Sequence, residues 1–383
     1  MFKIKKIVIK IAILVLNIIY LPLKLFKTKN KITYISREQN TPSLDFTLLY
    51  NEMKKRNPNV KQIMLTKKIG KGITGKISYA FHIFRQMYNI ATSKVVIVDT
   101  YIIPVSVLKH KKSLKVIQIW HALGAVKKFG YQILGKQEGS NETIAKSMKM
   151  HEGYNYITCA SKVTKKFFSE AFNTPEDRIK VIGMPRVDYI LNGNRNEEIL
   201  KENPEYIGKK TILYIPTFRK NKKVYIDELI EKVDTNKYNL IIKLHPLDDT
   251  KLDDKYLIKG NFSTYDVMKF ADYIISDYSA SVIEASILHK PLFLYVYDIE
   301  EYSDTRGLNV NILEELKEYT KKDVKDILKD IESDNYDYTE LETFRNKYVE
   351  TYNENNTENI CKLIEDNLYR WIEKFIHLFV TKI

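Results

Sequence analysis

Two histidines stand where an apolar run breaks off. Lys115-Val-Ile-Gln-Ile-Trp120 leads into His121-Ala-Leu-Gly-Ala-Val-Lys-Lys-Phe-Gly130, and Leu240-Ile-Ile-Lys-Leu244 leads into His245-Pro246. An imidazole titrates near neutrality, so a histidine at a strand end can take a proton from, or give one to, a reacting oxygen. A lone histidine of this kind serves equally well as a structural residue. Lys127 follows the first histidine and Lys243 precedes the second, and both offer charge to an anion. Two more runs end in polar groups. Residues 211–215 lead into Pro216-Thr-Phe-Arg219, where the Thr217 hydroxyl and the planar fork of Arg219 suit phosphate oxygens. Residues 273–276 lead into Asp277-Tyr-Ser-Ala-Ser-Val-Ile-Glu284, with Ser279 and Ser281 at a predicted helix start, as caps or as phosphate contacts. Gly183-Met-Pro-Arg-Val-Asp188 adds Arg186 and Asp188 after a short run.

Together these residues suit transfer of a phosphate-containing group from a nucleotide donor. No GxxxxGK[ST] phosphate loop is present, and no Asp-x-Asp follows an apolar run, so no metal and no cofactor are expected. The acid pairs Asp248-Asp249 and Asp253-Asp254 sit in a polar loop and read as solvated.

The elements that position these residues follow from periodicity. Short apolar runs at 31–36, 62–65, 95–99, 115–120, 156–159 and 179–182 predict one series of strands. Runs at 211–215, 240–244, 273–276 and 291–297 predict a second. Amphipathic stretches such as 45–56, 161–172, 227–233, 281–288 and 322–332 read as helices between them. Alternation of this kind predicts α/β architecture with parallel sheets, and ligands bind beyond the carboxyl ends of such strands. The polar stretch 192–198 reads as a linker. The expected organisation is a membrane-associating segment at 1–30, parallel-sheet α/β domains at 31–190 and 191–345, and C-terminal helices at 346–383 that pack back on the body.

The charge is unevenly spread. The 383 residues carry a formal net charge of +14, yet residues 1–136 hold 26 Lys and Arg against four acids, while the remainder is net acidic. A basic half needs an anionic partner or is merely solvated. The segment from Ile7 to Phe26 is nearly long enough to span a bilayer, but Lys10, Asn17, Pro22 and Lys24 interrupt it and lysines flank it on both sides. An interfacial helix on an anionic leaflet is the expectation, with a single span and a core helix as the other readings. The two cysteines, Cys159 and Cys361, match no paired metal spacing.

In this order, the motifs resemble those of the CDP-glycerol glycerophosphotransferase family of teichoic acid synthesis. The residues that carry the likeness are Trp120–Gly130, Gly183-Met-Pro-Arg-Val-Asp188, Pro216-Thr-Phe-Arg219, Lys243-Leu-His-Pro246, Ser276-Asp-Tyr-Ser279, Pro291 and the stretch from Tyr297 to Gly307. The resemblance implies a GT-B fold, two Rossmann-like domains facing across a cleft, in a peripheral enzyme on the cytoplasmic face of the cell membrane. It implies that His121 and His245 are the key histidines and that Arg219, Asp277 and Ser279 bind phosphate or nucleotide. The implied partners are CDP-glycerol and a lipid-linked disaccharide, with no nucleic acid. Ala122, Phe218 and Ala280 depart from the family's common Gly, Trp and Ser, and Ser281 stands ready to replace the last hydroxyl. The Trp-His-Ala form and the short chain look more like the priming enzyme than the polymerase. A glycerol or ribitol phosphate polymerase, a capsule transferase, a nucleotide-sugar glycosyltransferase and a non-enzymatic membrane or nucleic-acid binder are the alternatives.

Overall fold

The protein is described by a computed structural model covering residues 2–136, 138–217, 225–245, 248, 250–298 and 307–380, with backbone alone at 2–5 and 370–380. The chain forms two compact units. One comprises Met1–Leu123, Phe129–Arg186 and Asn353–Ile383; the other comprises Gly124–Lys128 and Val187–Tyr352.

In the first unit the chain order is α1 (Phe2–Leu23), β1 (Lys29–Ser36), α2 (Leu44–Arg56), β2 (Lys61–Thr66), α3 (Gly72–Thr92), β3 (Ser93–Val98), α4 (Ile103–Val107), β4 (Lys115–Gln118), α5 (Glu142–Ser147), β5 (Tyr156–Cys159), α6 (Lys162–Phe172) and β6 (Ile179–Val181). The strands form a six-stranded sheet in the order β2-β1-β3-β4-β5-β6, and every adjacent pair is parallel. Both faces of β3 are covered, which is why Val95-Val-Ile-Val98 reads as an unbroken apolar run rather than an alternating one. On α2, Ser43 accepts the Phe46 amide as N-cap, Asp45 lies in the first turn, and Lys54, Lys55 and Arg56 lie in the last, all favourable to the helix dipole.

The second unit runs on from α7 (Pro185–Asn192) through α8 (Asn196–Glu202), β7 (Lys210–Tyr214), α9 (Asp227–Lys232), β8 (Tyr238–Ile242), α10 (Thr264–Phe270), β9 (Tyr273–Ser276), α11 (Ser281–Ser286), β10 (Leu292–Tyr295), α12 (Ile312–Glu315), β11 (Thr320–Lys321), α13 (Val324–Ser333) and α14 (Thr339–Tyr348). Its parallel sheet has the order β11-β10-β9-β7-β8. The last helix, α15 (Asn356–Val380), returns to the first unit: Ile360, Ile364 and Leu368 pack one turn apart against Phe46, Leu49 and Met53 of α2 and the β1–β3–β4 face. Arg56 grips Glu365 with two guanidinium nitrogens at 3.0 and 2.7 Å.

Two parallel-sheet α/β units are therefore present, as expected. The strands lie within one or two residues of the predicted runs, and the two-residue β11 is an addition. Strand β4 ends at Gln118 rather than 120 because Trp120 adopts φ 59°, outside any strand geometry. The chain leaves the first unit at Arg186, which is bound to Asp45, and Tyr189 already hydrogen-bonds Asp266 of the second.

Candidate active site

In each sheet the strand order reverses at one point, and that is where an open α/β sheet opens a crevice. In the first unit the reversal lies between β1 and β3, whose ends carry Ser36 and Asp99. Asp99 is buried, and one of its carboxylate oxygens lacks a hydrogen-bond partner. Burial, opposed by a hydrogen bond to Ser36 and reinforced by Glu38 and Asp45, raises its pKa to about 7.

His121 stands one strand away, and its Nδ1 lies 3.0 Å from the Asp99 carbonyl oxygen. A carbonyl only accepts, so Nδ1 carries the proton and the Nε2 lone pair is left to accept one. His121 is exposed to solvent, yet desolvation by the surrounding protein, with Arg186 and Arg37, holds its pKa below the ordinary imidazole value against the pull of Glu38 and the Asp99 carbonyl. The preceding residue sets the ring's place. Trp120 sits in the left-handed region, its amide bonds the Gln118 side chain at 2.8 Å, and its ring packs on His121 at 4.0 Å and stacks on Phe129 at 4.8 Å. A bulky residue with positive φ is strained, and such strain collects at functional sites. Gly130, at φ 56°, lets the chain pass the Ala171 carbonyl, where a Cβ would come within 2.2 Å. His151 backs the cluster with its ring 5.7 Å from Trp120, and burial lowers its pKa to about 3. Arg37, just beyond β1, lies over the Tyr101 ring at 5.3 Å.

In the second unit the reversal lies between β7 and β9. There Asp277 is fully buried, and both its oxygens accept from the Thr217 amide, at 3.0 and 2.9 Å, while the Thr217 hydroxyl donates at 2.6 Å. This pair ties the segment after β7 to the end of β9. Arg219 itself lies outside the described residues. His245 follows β8 and is exposed; its carbonyl accepts the Asp248 amide at 2.8 Å. Lys243 extends the ladder beyond β8 and donates to the Phe262 carbonyl at 2.9 Å, and burial lowers its pKa. The Ser279 hydroxyl accepts the Ser281 amide at 3.3 Å, and the Ser281 and Ser276 hydroxyls lie 3.4 Å apart. Glu284 is buried and accepts from Tyr265 at 2.9 Å. Lys127 forms an isolated bridge with Leu308, and Asp188 lies in the first turn of α7.

Arg186, expected among the polar groups at the strand ends, is instead buried in an ion pair: Nε and Nη2 donate to Asp45 at 3.0 and 2.5 Å, and its amide donates at 2.8 Å. Its charge acts on His121 through space. Asp99, Arg37 and His151 are site residues that sequence reasoning missed. The first had a signal, since it is one of four acids among residues 1–136 and ends an apolar run. Among the described residues no group of three or more His, Cys, Asp or Glu is placed to hold a metal ion.

The same unit carries an apolar surface. Lys6–Leu23 is long and apolar enough to cross a membrane by length and composition. It nonetheless lies along the unit: Asn17 donates to the Val107 carbonyl at 3.1 Å and accepts from the Lys109 amide at 3.0 Å, and Tyr20 meets His110 at 3.0 Å. Ile7, Ile11, Leu14, Ile18 and Leu21 form an exposed stripe on α1. A second stripe, Ile73, Ile77, Phe81 and Phe84, runs along the neighbouring α3, where Ile73 is 77% and Phe81 71% exposed.

Comparison with known proteins adds three findings. The family model described as CDP-glycerol:poly(glycerophosphate) glycerophosphotransferase matches residues 18–366. A teichoic acid ribitol-phosphate primase from Bacillus spizizenii is 30% identical over 88% of this chain and 92% of its own length, and a teichoic acid glycerol-phosphate primase from Bacillus subtilis is 29% identical over 89% and 90%. A solved structure of the wall teichoic acid polymerase TagF superposes with a TM-score of 0.73 over 96% of this chain and 98% of the other at 21% identity, a likeness that shows the fold.

Proposed function

Since the chain belongs to the CDP-glycerol:poly(glycerophosphate) glycerophosphotransferase family, we propose that it carries out a priming step in which glycerol phosphate passes from CDP-glycerol to a hydroxyl of a membrane-bound, lipid-diphosphate-linked disaccharide. The acceptor oxygen forms a bond to the β-phosphorus, the bond from that phosphorus to the oxygen of the CMP moiety breaks, and CMP leaves. The acceptor proton goes to Nε2 of His121. The tautomer set by the Asp99 carbonyl is the observation that carries this role. Such chemistry asks little covalent work of the protein; positioning and charge stabilisation supply the rate.

His245, Lys243 and Arg219 neutralise charge on the donor diphosphate. Thr217 and Asp277 tie the segment after β7 to the end of β9, and Ser279 and Ser281 offer hydroxyls. The exposed stripes of α1 and α3, in a unit with no acid between residues 53 and 98, support an enzyme lying on an anionic lipid surface beside its acceptor. The deciding experiment is CMP release from CDP-glycerol with and without the lipid-linked disaccharide, and the expected result is acceptor-dependent release of one CMP per acceptor. Absence of CMP release from folded protein with any acceptor would overturn the reading.

The ribitol-phosphate primase likeness supports a second reading, in which the donor is CDP-ribitol. A direct comparison of kcat/KM for the two donors separates them.

A further inference from the structure

The exit from β3 anchors two groups. The Asp99 carbonyl accepts from Nδ1 of His121 at 3.0 Å. Two residues on, the Tyr101 ring lies beneath the guanidinium of Arg37 at 5.3 Å. Two chain steps span at most about 7 Å, so imidazole and guanidinium hang on one short segment. Both anchors are fixed. Tyr101 donates to the Met148 carbonyl at 2.7 Å and stands edge-on to His151 at 5.7 Å. Arg37 follows the last residue of β1, where the Ser36 hydroxyl accepts the Glu38 amide at 3.2 Å and the Ser36 carbonyl accepts the Lys67 amide at 3.1 Å.

The charge of Arg37 is unspent. Arg56 grips Glu365 and Arg186 is buried on Asp45. Among the described residues the half-buried Arg37 guanidinium makes neither an ion pair nor a hydrogen bond, and its exposed neighbour Glu38 forms no ion pair with it. A guanidinium held over an aromatic face keeps its planar N–H fork free, and that fork matches two oxygens of a phosphoryl group. Its field also reaches the base. Burial lowers the His121 pKa, Arg186 and Arg37 add to that, and Glu38 and the Asp99 carbonyl oppose it. On the far side of Trp120, His151 is kept neutral by burial, Arg37 and His121 itself.

We propose that Arg37 is a further catalytic residue, whose guanidinium binds non-bridging oxygens of the phosphoryl group in transfer and bears their charge while His121 takes the acceptor proton. This rests on the transferase reading above for the identity of the group. No proton leaves Arg37: the acceptor proton goes to Nε2 of His121, and the electron pair of the broken P–O bond leaves with CMP.

The test is steady-state kinetics of the full chain over pH 5–9 for wild type, Arg37→Gln and Arg37→Lys. Arg37→Gln should lower kcat about 100- to 1,000-fold, the weight of one oxyanion donor, with KM for CDP-glycerol and for the acceptor unchanged. The acid limb of kcat/KM should move up by about half a pH unit, because the base loses a repelling charge. Arg37→Lys keeps the charge and loses the fork, so it should restore the limb but only part of kcat. Unchanged kcat in Arg37→Gln overturns the proposal. So does an unmoved limb, which marks a merely structural loss, or a raised acceptor KM at full kcat, which marks a contact with the resting acceptor. A second measurement separates this result from the transferase reading. In histidine-labelled protein, with the His121 signal assigned by its loss in His121→Ala, inorganic phosphate should raise the His121 pKa in the wild type and leave it unmoved in Arg37→Gln. If the wild type releases no CMP, the transferase reading fails, while an absent phosphate effect in the wild type, or an equal one in the variant, overturns the Arg37 site by itself.

Discussion

At the scale of single residues, His121 and Asp99 make opposite demands on pH. His121 is held neutral below its ordinary titration range, so the acid limb of kcat/KM should fall below pH 6.5. His121→Ala should lower kcat about 100- to 10,000-fold, the usual weight of a general base, with CDP-glycerol KM little changed; steady-state kinetics over pH 5–9 checks both. Asp99 is buried with a pKa raised to about 7. Between the free carboxyl value and pH 7 the folded chain therefore holds a proton that the unfolded chain releases. Stability should accordingly fall as pH rises from about 4 to about 7, by at most about 4 kcal/mol, and level off above. Asp99→Asn should flatten that slope in urea titrations at stepped pH. It should leave His121 in place, because the contact runs through the Asp99 backbone carbonyl.

At the scale of elements, Asp45 and Arg186 join the first turn of α2 to the first turn of α7. Three hydrogen bonds and a full charge pair are buried there. Removing one partner leaves the other charge unpaired out of water, so Arg186→Met should destabilise by about 3–5 kcal/mol. The double change Asp45→Leu with Arg186→Met should recover much of that loss, and a double-mutant cycle by chemical denaturation measures the coupling. The linear sequence shows Arg186 after a short run and a Pro, but not its buried pairing with Asp45. Its partner lies 141 residues away, and no local pattern reports such a pairing. Thr217 and Asp277, 60 residues apart, show the reverse. Each was legible as a polar group ending an apolar run, and parallel pairing of β7 with β9 brings them together.

At the scale of the whole molecule, the basic excess of residues 1–136 coincides with the exposed stripes of α1 and α3. Binding to vesicles of about 30% phosphatidylglycerol should weaken steeply as salt rises, because exposed charges are screened over about 10 Å at 0.1 M. Ile77→Glu with Phe81→Glu should reduce co-sedimentation with those vesicles without lowering the melting temperature, since both side chains already face solvent. Unaltered co-sedimentation would assign membrane contact to α1 alone.

By itself the sequence determined the alternation of strands and helices, the two histidines at strand ends, the motif order that marks the family and the charge imbalance. All of these are local or additive properties, carried by neighbours in the chain or by simple sums along it. Tertiary structure alone decided which polar groups are spent on one another. It tied His121 to the Asp99 carbonyl, fixing the tautomer, and buried Arg186 on Asp45. It also turned the stripe of α3 outward, although an amphipathic helix of that pattern serves equally well with its apolar face in a core. Such choices depend on strand order and burial, which bring together residues that the linear chain holds far apart.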